Sequence, residues 1–420
     1  MGRPLLIIIG GLFVVFGIVQ NGMFGRTMQH GERSIGFHSE LHAENIANGT
    51  MDYAVARITD DRNWRETLIA NNYADADVDL QIIDIDTYTI ELRATARYGG
   101  KLATAEVQMQ RRPLSYFAYF TDIEQTINNQ NLFFVGPNVV SGVAGEVVNG
   151  PLHTNGRLNI AGSPTFNGPV TSTQMWHGHG SFTNNPEFNA TTNWNAPREY
   201  LHEADFSSLH GAASTSSISF NTEVELEFLP NGDLQVLEIA SGAESTISHL
   251  DLMNNNGLIH STGEVHVKGT INGPYTLYAT ENVNIIGDLV YSDDPLDNPF
   301  SEDMLGIVSE KNVWVERNAH QDNGNQHLEV QASIVALGES FGVENYDSGS
   351  SRGELRVFGG LIQVRRAPVA TFSGSGYAKN YNYDERFFET VPPYFPRQNF
   401  YSVRHWMTFV TPDPDYQNPI

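Results

Sequence analysis

The most one-sided hydrophobic pattern of the chain lies at its start. Residues 4–19, PLLIIIGGLFVVFGIV, carry no charged or strongly polar side chain and are bracketed by Arg3 and Arg26. Continued through Phe24 as a helix, about 21 residues at ~1.5 Å each span roughly 31 Å, enough to cross a bilayer core. Leu5, Leu6, Ile7, Ile8, Ile9, Leu12, Phe13, Val14, Val15, Phe16, Ile18 and Val19 would then meet lipid or neighbouring helices. The QNGMFGR that follows offers no small-x-small cleavage site, so residues 1–26 read as a retained anchor rather than a signal peptide. Arg3 and the free amine favour a cytoplasmic N-terminus, a bias that Arg26 and Arg33 weaken.

The pattern then turns amphipathic. From Thr27 to about Asp60 there is no proline, and Leu41, Ile46, Met51, Ala54, Val55 and Ile58 recur between Glu40, Glu44, Asp52 and Arg57. This predicts a stalk helix over 27–70 that Gly31, Gly36 and Gly49 can bend. Residues 71–128 predict a small antiparallel unit. TYTIELRATARY (87–98) and LATAEVQMQRR (101–111) alternate around a Gly-Gly-Lys turn, DVDLQIIDI (77–85) adds a strand, and one face packs on the amphipathic helix.

Beyond residue 130 a short phrase recurs: TNGRLNIAG (154), STGEVHVKG (261), ATENVNIIG (279), SEKNVWVER (309) and SRGELRVFG (351). Each has a polar start and two aliphatic residues separated by one variable position, usually with glycine at the following corner. The closest copies lie 18 residues apart, about one coil of a β-solenoid. The expected fold class is therefore mainly β: a right-handed parallel β-helix over 129–370, preceded by a long pilin-like helix and the small α+β unit. An antiparallel sandwich or jelly roll is the alternative. EVELEFLPNGDLQVLEIA (223–240) reads as a hairpin inserted near 221–242, and residues 371–420 as an aromatic C-terminal cap.

Charge narrows the partners. With 49 acidic residues against 24 basic and a net charge of -25, the surface repels phosphate backbones, which excludes nucleic acid as a partner. The absence of cysteine removes disulfides, thiolate metal sites and a lipid-modified cysteine anchor.

Four groups carry candidate chemistry. His177 and His179 in MWHGHGSF stand two apart, the spacing of a strand metal pair, yet without a third ligand the flanking glycines read as a loop. His153 and His260 begin the repeated phrase and are expected at equivalent positions in a structural role. Asp293, Asp294, Asp297, Glu302 and Asp303 gather oxygen ligands that suit calcium but lack the EF-hand spacing, so an acidic surface loop is the competing reading. The run 376–409 is dense in aromatics, among them Tyr377, Tyr381, Tyr383, Tyr394, Phe395 and Trp406. These could stack on sugars or cover a solenoid's open end, with Asp384 and Arg386 as a local pair.

The phrases GPLHTNGRLNIAGSPTFNGPVTS (150–172), MLGIVSEKNVWV (304–315) and GLIQVRRAPVATFSGSGYAKNYNYDERFFETVPPYFP (360–396) resemble a family of bacterial envelope proteins of unassigned function. Its members carry a pilin-like N-terminal helix and are labelled type IV pilus assembly or minor-pilin-like. The resemblance implies a single-pass inner-membrane protein whose bulk is periplasmic or displayed outside. It also implies that the N-terminal helix assembles with lipid, other pilin-like subunits or copies of itself. Prepilins carry a glutamate at the fifth mature position, and neither Gly2 nor Gly11 places one here, which leaves an uncut anchor. A structural, non-enzymatic display protein is expected, with no cofactor unless calcium sits at the acidic loop. The alternatives are a tethered carbohydrate-active enzyme, which would need the acidic loop to converge with Lys268, Arg317 or a histidine, and a passive adhesin of surface glycan.

Overall fold

The computed structural model describes residues 3–137, 139, 145–175, 177–178, 184–322, 324, 327–371 and 373–416. Of these, 3–14, 25, 32, 71–72 and 177–178 are described by their backbone alone. The chain divides into two compact units, one formed by residues 1–112 with 400–420 and the other by 113–399.

The first unit holds one unbroken helix, α1 (Arg3–Asp60), which covers the residues expected as anchor and stalk but ends ten residues before the expected boundary at 70. Gly31, Gly36 and Gly49 do not interrupt it. Ala43, Ile46, Ala47, Met51, Ala54 and Ile58 lie at three- and four-residue steps on one stripe and are buried. They pack on an antiparallel sheet of β1 (Leu68–Tyr73), β2 (Ala76–Asp86), β3 (Thr89–Tyr98), β4 (Lys101–Gln110) and the strand Ser402–Pro412. Ala94, Ala96, Ala103 and Ala105 keep the central strands low, so the helix can lie close. The β3–β4 turn also needs a bare backbone: at Gly99, with φ +54°, a Cβ would stand 2.3 Å from Ser39 Oγ.

Two expectations are corrected in this unit. Ile46, Met51 and Ile58 face their own sheet rather than a partner helix, while Leu41 remains exposed and Val55 half-buried. Trp406 belongs to no cap, because its strand pairs with β4, placing Trp406 opposite Val107. Among the described residues no helix is long and apolar enough to cross a membrane. Leu5, Leu6, Ile7, Ile8, Ile9, Leu12, Phe13 and Val14 lie outside the described side chains.

The second unit is mainly β, and its strands pair in parallel over long ladders, which an antiparallel sandwich does not do. Three of these ladders form columns of inward apolar residues. One runs Ile259, Leu277, Ile307, Ile334, Leu361, Tyr119, Leu152, Val170. A second runs Val224, Val265, Val283, Val313, Phe341. A third runs Leu289, Val330, Val357, Tyr381, Val148, Phe166, Phe188. Three of the five repeated phrases (261, 279 and 309) stack directly in the second column. The copy at 351 places Leu355 opposite Leu328 instead, and the copy at 154 lies in a separate three-stranded sheet.

Stack order departs from chain order. The rungs built by 119–196 follow the rung of Ser351–Arg365 and Gly376–Asn382, although they come first in sequence. The chain then passes through Leu201, Leu209 and Ala213 to reach the opposite end. These residues pack with Leu114, Phe117 and Phe395 over Leu258 and an outward apolar row of Tyr278, Val308, Val335, Ile362 and Phe120. At that far end the hairpin is not an insertion. Val224–Phe228 is the terminal rung, parallel to Val265–Ile271, and Leu234–Glu238 and Ala243–Ile247 extend it antiparallel. The predicted aromatic cap at 371–420 is likewise corrected, since Gly376–Asn382 pairs with strands on both sides and Tyr377 is wholly buried in the core.

Where the early and late segments join, Arg366 is enclosed. Its guanidinium bonds Glu124 at 3.0 Å, with the two side chains 4% and 2% exposed, donates to Phe133 O and lies 4.2 Å from the Phe134 ring. A buried pair is costly to break because the survivor stays charged in a medium that solvates it poorly. Arg366→Ala should therefore cost about 3–5 kcal/mol in urea unfolding, whereas Arg366→Met combined with Glu124→Leu should recover most of that loss. Equal losses in the two variants would refute this account of the joint.

Candidate functional site

On the outside of the third column lies a groove of about 1010 Å³. Strand alternation puts Tyr381, Val148, Phe166 and Phe188 inside, so the residues that follow them, Asn382, Asn149, Asn167 and Asn189, point outward. Their amides form one row: Asn189 Nδ2 donates to Asn167 Oδ1 at 2.7 Å, Asn167 to Asn149 at 2.6 Å, Asn149 to Asn382 at 2.8 Å, and Asn382 to Asn380 at 3.0 Å. Gln331 and Phe358 continue the same outward column by register, and Glu329, Arg356 and Asn380 form the column beside it. Glycine makes the corner possible, because a Cβ at Gly168 would fall 2.0 Å from Gly150 O on the rung before.

Two segments singled out by sequence line this groove, the acidic loop and part of the aromatic run. Within the loop, Asp303 accepts from the amides of Gly273 at 2.6 Å and Asp293 at 2.8 Å, Asp293 accepts from Asn298 Nδ2, and Asp294 accepts from Leu296 N and Gln331 Nε2. Asp297 and Glu302 stand exposed. These carboxylates brace the loop rather than converge on one point, and among the described residues no group of three or more His, Asp or Glu is placed to hold a metal ion. The loop's acids do not meet Lys268, which pairs with Asp322, Glu225 and Glu227; Arg317 is exposed.

Of the aromatic run, Tyr383 is buried at the groove wall with its hydroxyl donating to Ser115 O, and Phe388 leans on Tyr383 and Tyr116 with 40% of its surface exposed. Phe395 is buried under the lateral segments, and Tyr394 packs beside it half-buried. The groove's two arginines are both committed. Arg356 bonds Glu354 and Glu329, which holds the Glu354 carboxyl below its usual range, and Arg386 grips Asp384 and donates to Ser301 O.

The histidines divide. His153 and His260 share one column, with the register running from His260 through Tyr278, Val308, Val335, Ile362 and Phe120 to His153. Burial lowers the pKa of both. His179 and the side chain of His177 lie outside the described residues. The asparagine row was missed by the sequence reading, although a second repeat encodes it: VNGPLHT (148), FNGPVTS (166) and FNATTNW (188).

Comparison with known proteins adds a family and a structure. Residues 89–174, from β3 into the second unit, match a family described as a domain of unknown function (DUF4900). Among solved structures the chain is similar to the competence-associated pilin ComZ from Thermus thermophilus, at 12% identity and a TM-score of 0.32, covering 89% of this chain and 98% of that one. No curated protein matches.

His266 supplies a pH-dependent contact outside the groove, with Nε2 2.9 Å from Glu223 and Nδ1 2.9 Å from Glu316. Burial pulls its pKa down, but the two carboxylates outweigh that and leave it raised. A raised folded pKa gives stability that is complete below the unfolded value of about 6.5 and is lost as pH rises through the folded one. Melting temperatures of wild type and His266→Gln should therefore differ most at acidic pH and converge at alkaline pH. A gap that widens upward would contradict the assignment.

Proposed function

We propose that this protein is a membrane-anchored, pilin-like component of a bacterial envelope, in which a β-solenoid head serves display rather than turnover. One observation carries the reading. In α1 the stripe from Ala43 to Ile58 is spent on its own sheet, but Val15, Phe16, Ile18, Val19, Met23, Phe24, Met28, Ile35 and Phe37 are exposed along the same continuous helix. So many apolar side chains on one rod call for a low-dielectric surrounding or other helices. The run from Leu5 to Phe24 would take lipid, and the stretch from Met28 to Phe37 would take the helices of pilin-like subunits or of other copies.

Three columns of inward apolar residues, aliphatic and aromatic, support the solenoid. The bracing of the groove's acids and arginines by partners within the chain supports a non-catalytic head. The bulk would stand on the periplasmic or outer side of the inner membrane.

Expressed at full length in a bacterial host, the protein should sediment with inner membranes and resist extraction by high salt or alkaline carbonate. Leu12→Arg with Phe16→Arg, each costing about 2.5–3.5 kcal/mol of insertion at a helix centre, should shift it to the soluble fraction. Wild-type protein recovered in the soluble fraction would end the anchor reading.

A further inference from the structure

We infer that the groove above the asparagine row binds an extended, uncharged polysaccharide chain. The row itself is the first argument. A buried amide ladder would be explained by stability alone, but Asn382, Asn167 and Asn189 are exposed, where amide bonds compete with water and contribute little to folding. Asn167, Asn149 and Asn382 each spend one N–H and one lone pair on their neighbours and keep another of each. Spare donors and acceptors repeated at one position match a chain of hydroxyls, which both donate and accept. Parallel rungs are spaced about 4.8 Å apart, so the amide row from Asn382 through Asn149 and Asn167 to Asn189 offers roughly 14 Å of such contacts, a length that seats about three sugar rings.

The walls narrow the chemistry further. Phe388 presents a part-exposed ring propped from behind by Tyr383 and Tyr116, a rigid surface on which a sugar face can stack. Both arginines are neutralised by carboxylates, and Asp294, Glu329 and Glu385 also line the groove, so among the described residues a polyanion finds no free cation in the groove, on a chain of net charge -25. Along the strands Leu328–Ala336, Ser351–Arg365 and Gly376–Asn382 an extended peptide finds no backbone edge either, because each is paired on both sides.

The inference deepens the display role proposed above, and its test is independent of anchoring. Full-length protein in a detergent without a sugar headgroup would be applied to an array of immobilised neutral polysaccharides (β-glucans, xylans, mannans), the anionic alginate and polygalacturonate, and a Gly-Ser peptide. Binding to at least one neutral polysaccharide is expected. Asn149→Ala combined with Asn167→Ala and Asn382→Ala should weaken it at least about tenfold without lowering the melting temperature, and the single change Phe388→Ala should weaken it as well should the triple variant fail to fold. Binding to no neutral polysaccharide, binding only to the anionic chains or the peptide, or neutral binding that survives both variants would overturn it. A membrane-bound protein that fails on the array would sink the glycan assignment and leave the anchor standing.

Discussion

Parallel pairing in fixed register is the constraint on which the second unit depends. In such a ladder each residue lies directly beside its counterpart one rung away, so whatever side chain occupies a position is copied into a row along the stack. Inward positions become columns such as Leu289, Val330, Val357, Tyr381, Val148, Phe166, Phe188. Outward positions become surface rows, and the chemistry of the surface is then decided one row at a time. The amide row owes its continuity to this. Four asparagines far apart in sequence meet at 2.6–2.8 Å because the backbones beneath them are hydrogen-bonded in step.

That constraint also separates the order of the chain from the order of the stack. The segment 119–196 adds its rungs beyond those of 258–382, so the strands nearest the unit's two ends lie mid-stack. Those ends are neighbours: Pro113 bridges Arg397, and Leu114 N donates to Pro396 O at 2.8 Å. Adjacent ends are what an insertion into a hairpin needs, because they close the loop with little added entropy. The strands on either side of the insertion, β4 and Ser402–Pro412, pair antiparallel from Gln110 and Ser402 onward. The stack's two ends are treated differently. Leu234–Glu238 and Ala243–Ile247 cover the edge of Val224–Phe228, whereas among the described residues no strand pairs with the outer edge of Glu187–Phe188 and Thr192–Trp194.

What was legible in the sequence follows from which interactions are local. The stripe from Ala43 to Ile58, the β3–β4 hairpin and the strand at 77–85 are set by three-to-four-residue and two-residue periods, and those elements lie where the periods put them. Val265, Val283 and Val313 could be aligned because consecutive rungs recur at short spacing. Stack order could not be read, because no local pattern records that Leu361 pairs with Tyr119. The assignment of Trp406 to a cap failed for the same reason, its strand partner lying in β4. The aromatic run was misplaced because density of large side chains does not distinguish an end from a middle rung, and pairing on both sides of Tyr381 makes it a middle one. At the groove, Asp294, Tyr383 and Arg386 stand out in the sequence as members of an acidic loop and an aromatic run, whereas abundant asparagine suggests side-chain ladders without marking which residues form one.

The exposed stretch of α1 and the groove differ in kind, and this sets what can satisfy each. Nine exposed large apolar side chains between Val15 and Phe37 would each gain about 1.5–3 kcal/mol on full burial, a total on the order of the whole stability of a domain. A surface of that type is satisfied by lipid or by other helices, and no polar ligand could compete. The groove is the reverse. Its two arginines are neutralised by carboxylates within the chain, its apolar contribution is a few rings, and its repeating element is an uncharged amide, so a partner that is itself polar, neutral and repetitive can use more than one rung at a time. Because the amides recur at the rung spacing, each contact can remain weak while the sum along the stack is selective for chain length and extension. Length selectivity of that kind cannot come from a single pocket, and it follows here from the same register that builds the core.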